Sequence, residues 1–183
     1  MNWNSRKRIF IMEILAVTAS LLSGCSVKNK VLEKAGLPYH TVGKPVPITE
    51  IEHISFTEST MAIPDITVSG ITRTAEGASI LINADYQSRE IAYSVDAEVL
   101  DKVQAILEKY EVGKWNGYSG HNPMALDGSS FALYVQFTDG SSLSAQGTNN
   151  FPDNYSNVRR EFDSLTSEAI APWQEEYEAG TTD

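Results

Sequence analysis

Three histidines, one cysteine and 24 carboxylates are the groups from which this 183-residue chain would build an active site or a metal centre. The histidines are His40, His53 and His121. No two of them have the spacing that places a pair of imidazoles on one metal ion, and Cys25 has no second cysteine to join it. Serines are plentiful, but no Gly-x-Ser-x-Gly elbow holds one on a strained turn. Asp127, Asp139 and Asp153 each stand beside Gly or Asn. There a short carboxylate closes an Asx turn more readily than it serves as acid or base. Leu126-Asp127-Gly128-Ser129 lacks the alternating oxygen ligands of a calcium loop. The residues lean away from an enzyme and imply no metal and no cofactor.

What remains is a polar and aromatic set: Trp115, Asn116, Tyr118, Asp127, Asn149, Asn150 and Phe151. All of them fall in predicted loops. Aromatic faces beside amide groups on loops suit contact with a ligand or a protein. The same residues also suit packing, with Trp115 and Phe151 plugging the ends of a core and Asn149 bonding its own loop. The set is the candidate binding site under the first reading and structural under the second.

The elements that must position it begin with a hairpin. Phe131, Leu133, Val135 and Phe137 alternate with Ala132, Tyr134, Gln136 and Thr138, a half-buried strand. Asp139-Gly140 marks a turn. A two-residue loop there would set Val135 opposite Ser144. A three-residue loop, Thr138-Asp139-Gly140, sets Val135 opposite Leu143 and Leu133 opposite Ala145. Parity favours the second, because a one-residue slip moves every side chain to the other face. Gly140 then takes the left-handed position of a type I turn with a bulge. Pro152 ends the strand region, and Asp153 or Asn154 caps a helix carrying Tyr155, Val158, Phe162, Leu165 and Ala169 on one stripe. Pro172 is expected to break or kink it.

Upstream, Glu50–Thr57, Ile66–Thr74, Ala78–Tyr86 and Arg89–Ser94 read as strands. Asp96 caps a helix to about Tyr110, with Val99, Leu100, Val103, Ile106, Leu107 and Tyr110 at helical spacing. Residues 113–127 read as an irregular loop. The fold class expected is α+β: an antiparallel sheet of about five strands with two amphipathic helices packed on one face.

The N-terminus has a different character. Arg6-Lys7-Arg8 precedes an apolar run from Ile14 to Leu22, too short to span a bilayer and of the length of a signal-peptide core. Leu22-Ser23-Gly24-Cys25 matches the bacterial lipobox, which implies cleavage before Cys25, diacylglycerol on its sulfur and retention at the membrane. Two acyl chains suffice for stable attachment. Residues 1–24 are thus expected to be a lipoprotein signal peptide. Residues 25–48, with Pro38, Pro45, Pro47, Gly36 and Gly43, are expected to be the lipidated cysteine and a flexible stem. A single domain then covers 49–178, and 179–183 form a frayed tail. Fully extended, the stem would reach about 75–80 Å.

Residues 49–183 hold 7 basic and 22 acidic groups, a charge of −15. That argues against nucleic acid as a partner, since phosphate binding needs clustered Lys and Arg.

WNGY (115–118), LDG (126–128), FTDG (137–140) and AQGTNNFP (145–152), taken in order with the lipobox, resemble an uncharacterised family of bacterial, mostly Gram-positive, lipoproteins. The resemblance implies the same domain and the same address and brings no activity with it. The expected function is a lipid-anchored extracytoplasmic domain at the cell membrane, a binding module for a peptide, a cell-wall fragment or a protein partner. The alternatives are an envelope hydrolase with an unrecognised active site and a structural accessory subunit of an envelope complex.

Overall fold

The computed structural model describes residues 24–60, 66–84, 89–125 and 128–180. Residues 1–23 of the expected leader lie outside the described residues, as does Asp127. One sheet contains β1 (Tyr39–Thr41), β2 (Ile51–Ser59), β3 (Ile66–Thr74), β4 (Gly77–Ala84), β5 (Arg89–Val95), β6 (Tyr118–His121), β7 (Ser130–Phe137) and β8 (Ser142–Thr148). Their order is β1-β6-β8-β7-β2-β3-β4-β5. Among the described residues only the β6–β8 pair is parallel. The helices are α1 (Gly24–Lys34), α2 (Glu98–Lys109) and α3 (Tyr155–Gly180), with a 3-10 turn at Val112–Trp115.

The chain is α+β, as expected. The count of five strands and two helices is too low: the described residues hold eight strands and three helices, and the sheet is mixed rather than wholly antiparallel. The two missed strands have a common cause. β1 has three residues and β6 four, too short to display a period of two. β6 replaces part of the loop expected at 113–127. β1 and α1 lie inside the stretch read as a stem, and β1 pairs with β6 at the sheet's edge.

The β7–β8 hairpin has the register that parity requires. Val135 lies opposite Leu143 and Leu133 opposite Ala145. Gly140 has φ +82°, its N–H donates to the Phe137 carbonyl at 3.0 Å, and the Phe137 N–H donates to the Ser141 carbonyl at 3.0 Å. The loop is therefore Thr138-Asp139-Gly140. The Asp139 carboxylate takes the Ser141 N–H at 2.8 Å and the Ser141 hydroxyl at 2.6 Å, the turn role expected of it.

β2 departs from simple alternation. Ile51, Ile54 and Phe56 are all fully buried, although Ile51 and Ile54 differ by an odd number of residues. A bulge between Ile51 and His53 restores the face. β3 does the same between Val68 and Gly70, which lets Val68 and Ile71 both point inward.

The inward residues of the sheet share one core with Leu100, Val103 and Leu107 of α2 and Val158, Phe162 and Ile170 of α3. Each such side chain contributes about 1.5–3 kcal/mol on burial. The Asp96 carboxylate caps α2 by accepting the Glu98 N–H at 2.8 Å. α3 runs through Pro172 without ending. The ring removes the hydrogen bond to the Glu168 carbonyl, one turn back, and crowds that oxygen.

Candidate functional site

The site is built where the segment after α1 returns to the sheet. Asn29 of α1 donates to the His40 carbonyl at 2.7 Å, and β1 then pairs with β6. Beyond β1 the chain stays on the domain. Gly43 N–H donates to the Asn116 carbonyl at 2.7 Å and Val46 N–H to the Gly113 carbonyl at 3.1 Å. A Cβ on Gly113 would collide with the Val46 carbonyl, so the two backbones can lie this close only at glycine. Residues 39–48 are thus a docked strap, and the reach of a fully extended 25–48 stem is not available to the domain.

Between this strap, the 3-10 turn and the loop after β8 lies a cleft of about 480 Å³. The His40 ring stacks on Tyr118, with centroids 5.4 Å apart and an interplanar angle of 18°. The Tyr118 hydroxyl donates to Asn150 Oδ1 at 3.1 Å. Asn150 Nδ2 donates to the Tyr39 carbonyl at 2.8 Å and faces the His121 carbonyl at 3.5 Å. A single amide thus joins β1, β6 and the loop. Burial, with the Asp153 carboxylate second, pushes the Tyr118 phenol up to about 12. Tyr118 is therefore a neutral, fixed donor at physiological pH.

Glu111 and Lys114, at the opposite rim, pair with each other at 2.6 Å. Tyr110 also lines the cleft, and its hydroxyl donates to Glu161 Oε1 at 2.6 Å. Lys109 bonds the same carboxylate at 2.7 Å, and these two donors hold Glu161 below the usual carboxylate range.

Trp115, Tyr118 and Phe151 line the cleft, and Phe131 and Tyr155 of the core pack against them. Phe151 and Tyr155 lie 4.6 Å apart, Phe131 and Tyr155 4.7 Å, and Trp115 and Phe131 6.5 Å. Trp115 and Tyr118 are each only 4% exposed, so these rings are core as much as site. Burial pushes the Tyr155 phenol up as well, with Glu58 as the second cause.

The residues singled out from the sequence therefore divide. Trp115, Tyr118, Asn150 and Phe151 meet at the cleft. Asn116 does not bind outward: its Nδ2 donates to the Lys44 carbonyl at 2.9 Å, and its Oδ1 takes the Ser144 N–H at 3.3 Å. Asn149 stands at φ +54° and holds the Ala125 carbonyl at 3.4 Å. Asn116 and Asn149 thus fasten backbone. Asp127 lies outside the described residues, and the Cys25 backbone is in α1. Sequence reasoning missed His40, Val42 and Lys114 as cleft residues. Their only local signal was the pair of glycines, Gly43 and Gly113, at which the strap and the turn approach.

The cleft offers aromatic surface, a neutral phenol, an imidazole and an acidic and a basic group at its rim. That is recognition chemistry for a polar ligand with an apolar face. Among the described residues no three His, Cys, Asp or Glu side chains converge as metal ligands, and no helix is long and apolar enough to cross a membrane. No family model, no curated protein and no solved structure matches this chain.

Proposed function

We propose that this chain is a lipid-anchored protein of the extracytoplasmic membrane face, a binding module whose ligand enters the His40–Tyr118–Asn150 cleft. The observation that carries the binding reading is the cleft itself. Its walls come from three distant segments, and its polar groups are held by hydrogen bonds between those segments rather than left to move. The lipobox and the basic leader support the address. The short span between Cys25 and β1 supports a cleft that stays near the bilayer: α1 has 11 residues, about 16 Å at 1.5 Å per residue, and only residues 35–38 separate it from β1. The resemblance to bacterial lipoproteins of unassigned activity supports the address alone.

Two measurements test it. Cys25→Ala should release the protein from the membrane or leave its leader uncleaved, and an unmodified thiol on the mature wild-type chain would refute the anchor. A photo-crosslinking residue at Val42, half-exposed on the cleft rim, should capture a ligand from intact envelope. The same group at Met124, exposed outside the cleft, should not. Equal capture at both positions, or capture at neither, would refute the cleft as the binding site. Turnover of the captured species would move the assignment to an envelope hydrolase.

A further inference from the structure

β5 is the edge of the sheet farthest from the cleft. It pairs with β4 and, among the described residues, with no strand on its other side. Alternate residues of such a strand present N–H and C=O groups outward. Sheets commonly blunt an edge with Lys, Pro, a bulge or extreme shortness. The opposite edge follows that rule: β1 has three residues and is tied to α1. β5 does not. It has seven residues, its register with β4 is unbroken from Arg89 to Val95, and Ile91-Ala92-Tyr93-Ser94-Val95 contains no Lys, Pro or bulge.

A groove of about 340 Å³ runs beside this edge, between β5, the start of α2 and the middle of α3. Its apolar lining includes Tyr93, Val95, Val99 and Leu165. Asp96, Glu98 and Glu168 line it too, against a single Lys102 that already pairs with Glu98 at 3.3 Å. Tyr93 and Val95 lie opposite the buried Ile80 and Ala78 and so face the helices. A strand added to β5 would place every second side chain over the groove.

We infer that β5 is a strand-addition site for an extended segment of a partner protein in which apolar residues alternate with Lys or Arg. Backbone pairing supplies affinity, and the groove selects alternate apolar residues. Glu90, exposed on the sheet face away from the groove, and the charge of −15 over residues 49–183 select the basic ones. A second copy of this chain is the poorer occupant, because it sets one strongly acidic domain against another.

The test uses the full chain in detergent micelles and a capped ten-residue peptide of alternating Val and Lys. Two further peptides carry N-methyl groups on every second amide, one in each phase. Binding should slow amide exchange across β5 by about tenfold or more and leave β1 and β6 unchanged. One N-methylated phase should bind at least about tenfold more weakly, and the other should retain affinity. Glu90→Lys, on the exposed face away from the groove, should weaken binding about three- to tenfold. Absence of binding at millimolar peptide would overturn the inference, as would equal binding of both methylated peptides or unchanged exchange in β5. Protection of β5 in a concentration-dependent dimer without peptide would assign the edge to a second copy and overturn the partner.

Discussion

Gly120 lies directly opposite Gly147 across the parallel β6–β8 pair, and the backbone carbonyl of Asn150 sits over both. A Cβ on Gly120 would stand 2.6 Å from that oxygen, and one on Gly147 would meet it and the Phe131 ring. The pair forms a notch into which the loop after β8 folds back, carrying the Asn150 amide to Tyr118. Gly147→Ala should therefore push the loop outward and cost about 1–3 kcal/mol in denaturant unfolding. It should also lift the Asn150 amide from Tyr118 and open the phenol to water, which lowers the raised Tyr118 phenol toward its ordinary value. An unchanged midpoint would show that the loop yields freely.

Gly140 isolates a different effect. Nothing lies within 4 Å of a Cβ built there, yet φ is +82°. Gly140→Val should cost about 1–2 kcal/mol through backbone conformation alone, since a β-branched residue resists the left-handed region. Gly140→Asn, which tolerates that region, should recover most of the loss. Equal effects of Val and Asn in thermal unfolding would contradict the turn argument.

The Tyr118 phenol, raised to about 12 by burial and then by Asp153, makes stability depend on alkaline pH. The unfolded phenol titrates near ~10. Between about pH 10 and 12 the unfolded chain has lost this proton while the folded chain keeps it, so stability falls as pH rises. Below about pH 10 the contribution is constant. Tyr118→Phe should flatten part of the decline in that window. The comparison must be a difference between the two proteins, because Tyr155 is raised as well and contributes to both.

Arg159 fastens α3 to β2. Nη1 donates to the Phe56 carbonyl at 2.8 Å, Nε and Nη2 bind Asp163 at 3.0 and 2.7 Å, and the guanidinium lies 5.0 Å from the Phe56 ring centre. Arg159→Ala should destabilise the fold by about 2–4 kcal/mol, since a largely buried charged donor is removed from partners that stay behind. Arg159→Lys should recover less than half, because an ammonium lacks the planar fork that serves the carbonyl and the carboxylate together. Full rescue by Lys in equilibrium unfolding would reduce the contact to simple charge.

The parts of this molecule legible in the sequence are those whose information is local. The stripe from Val99 to Leu107 specifies α2 because side chains at helical spacing share a face whatever lies opposite. The loop at Thr138-Asp139-Gly140 follows from parity within 15 residues, since only one slip leaves Val135 opposite Leu143. The cleft is not local. His40 meets Tyr118 across 78 positions and Asn150 holds Tyr39 across 111. β1 and β6 are too short to carry a period of their own, and they become strands only because β8 offers β6 an edge and β6 then offers one to β1. Asn116 looked like a ligand-binding amide for the same reason. Which way an amide in a polar loop points is decided by the backbone groups that tertiary folding leaves unpaired beside it, here those of Lys44 and Ser144.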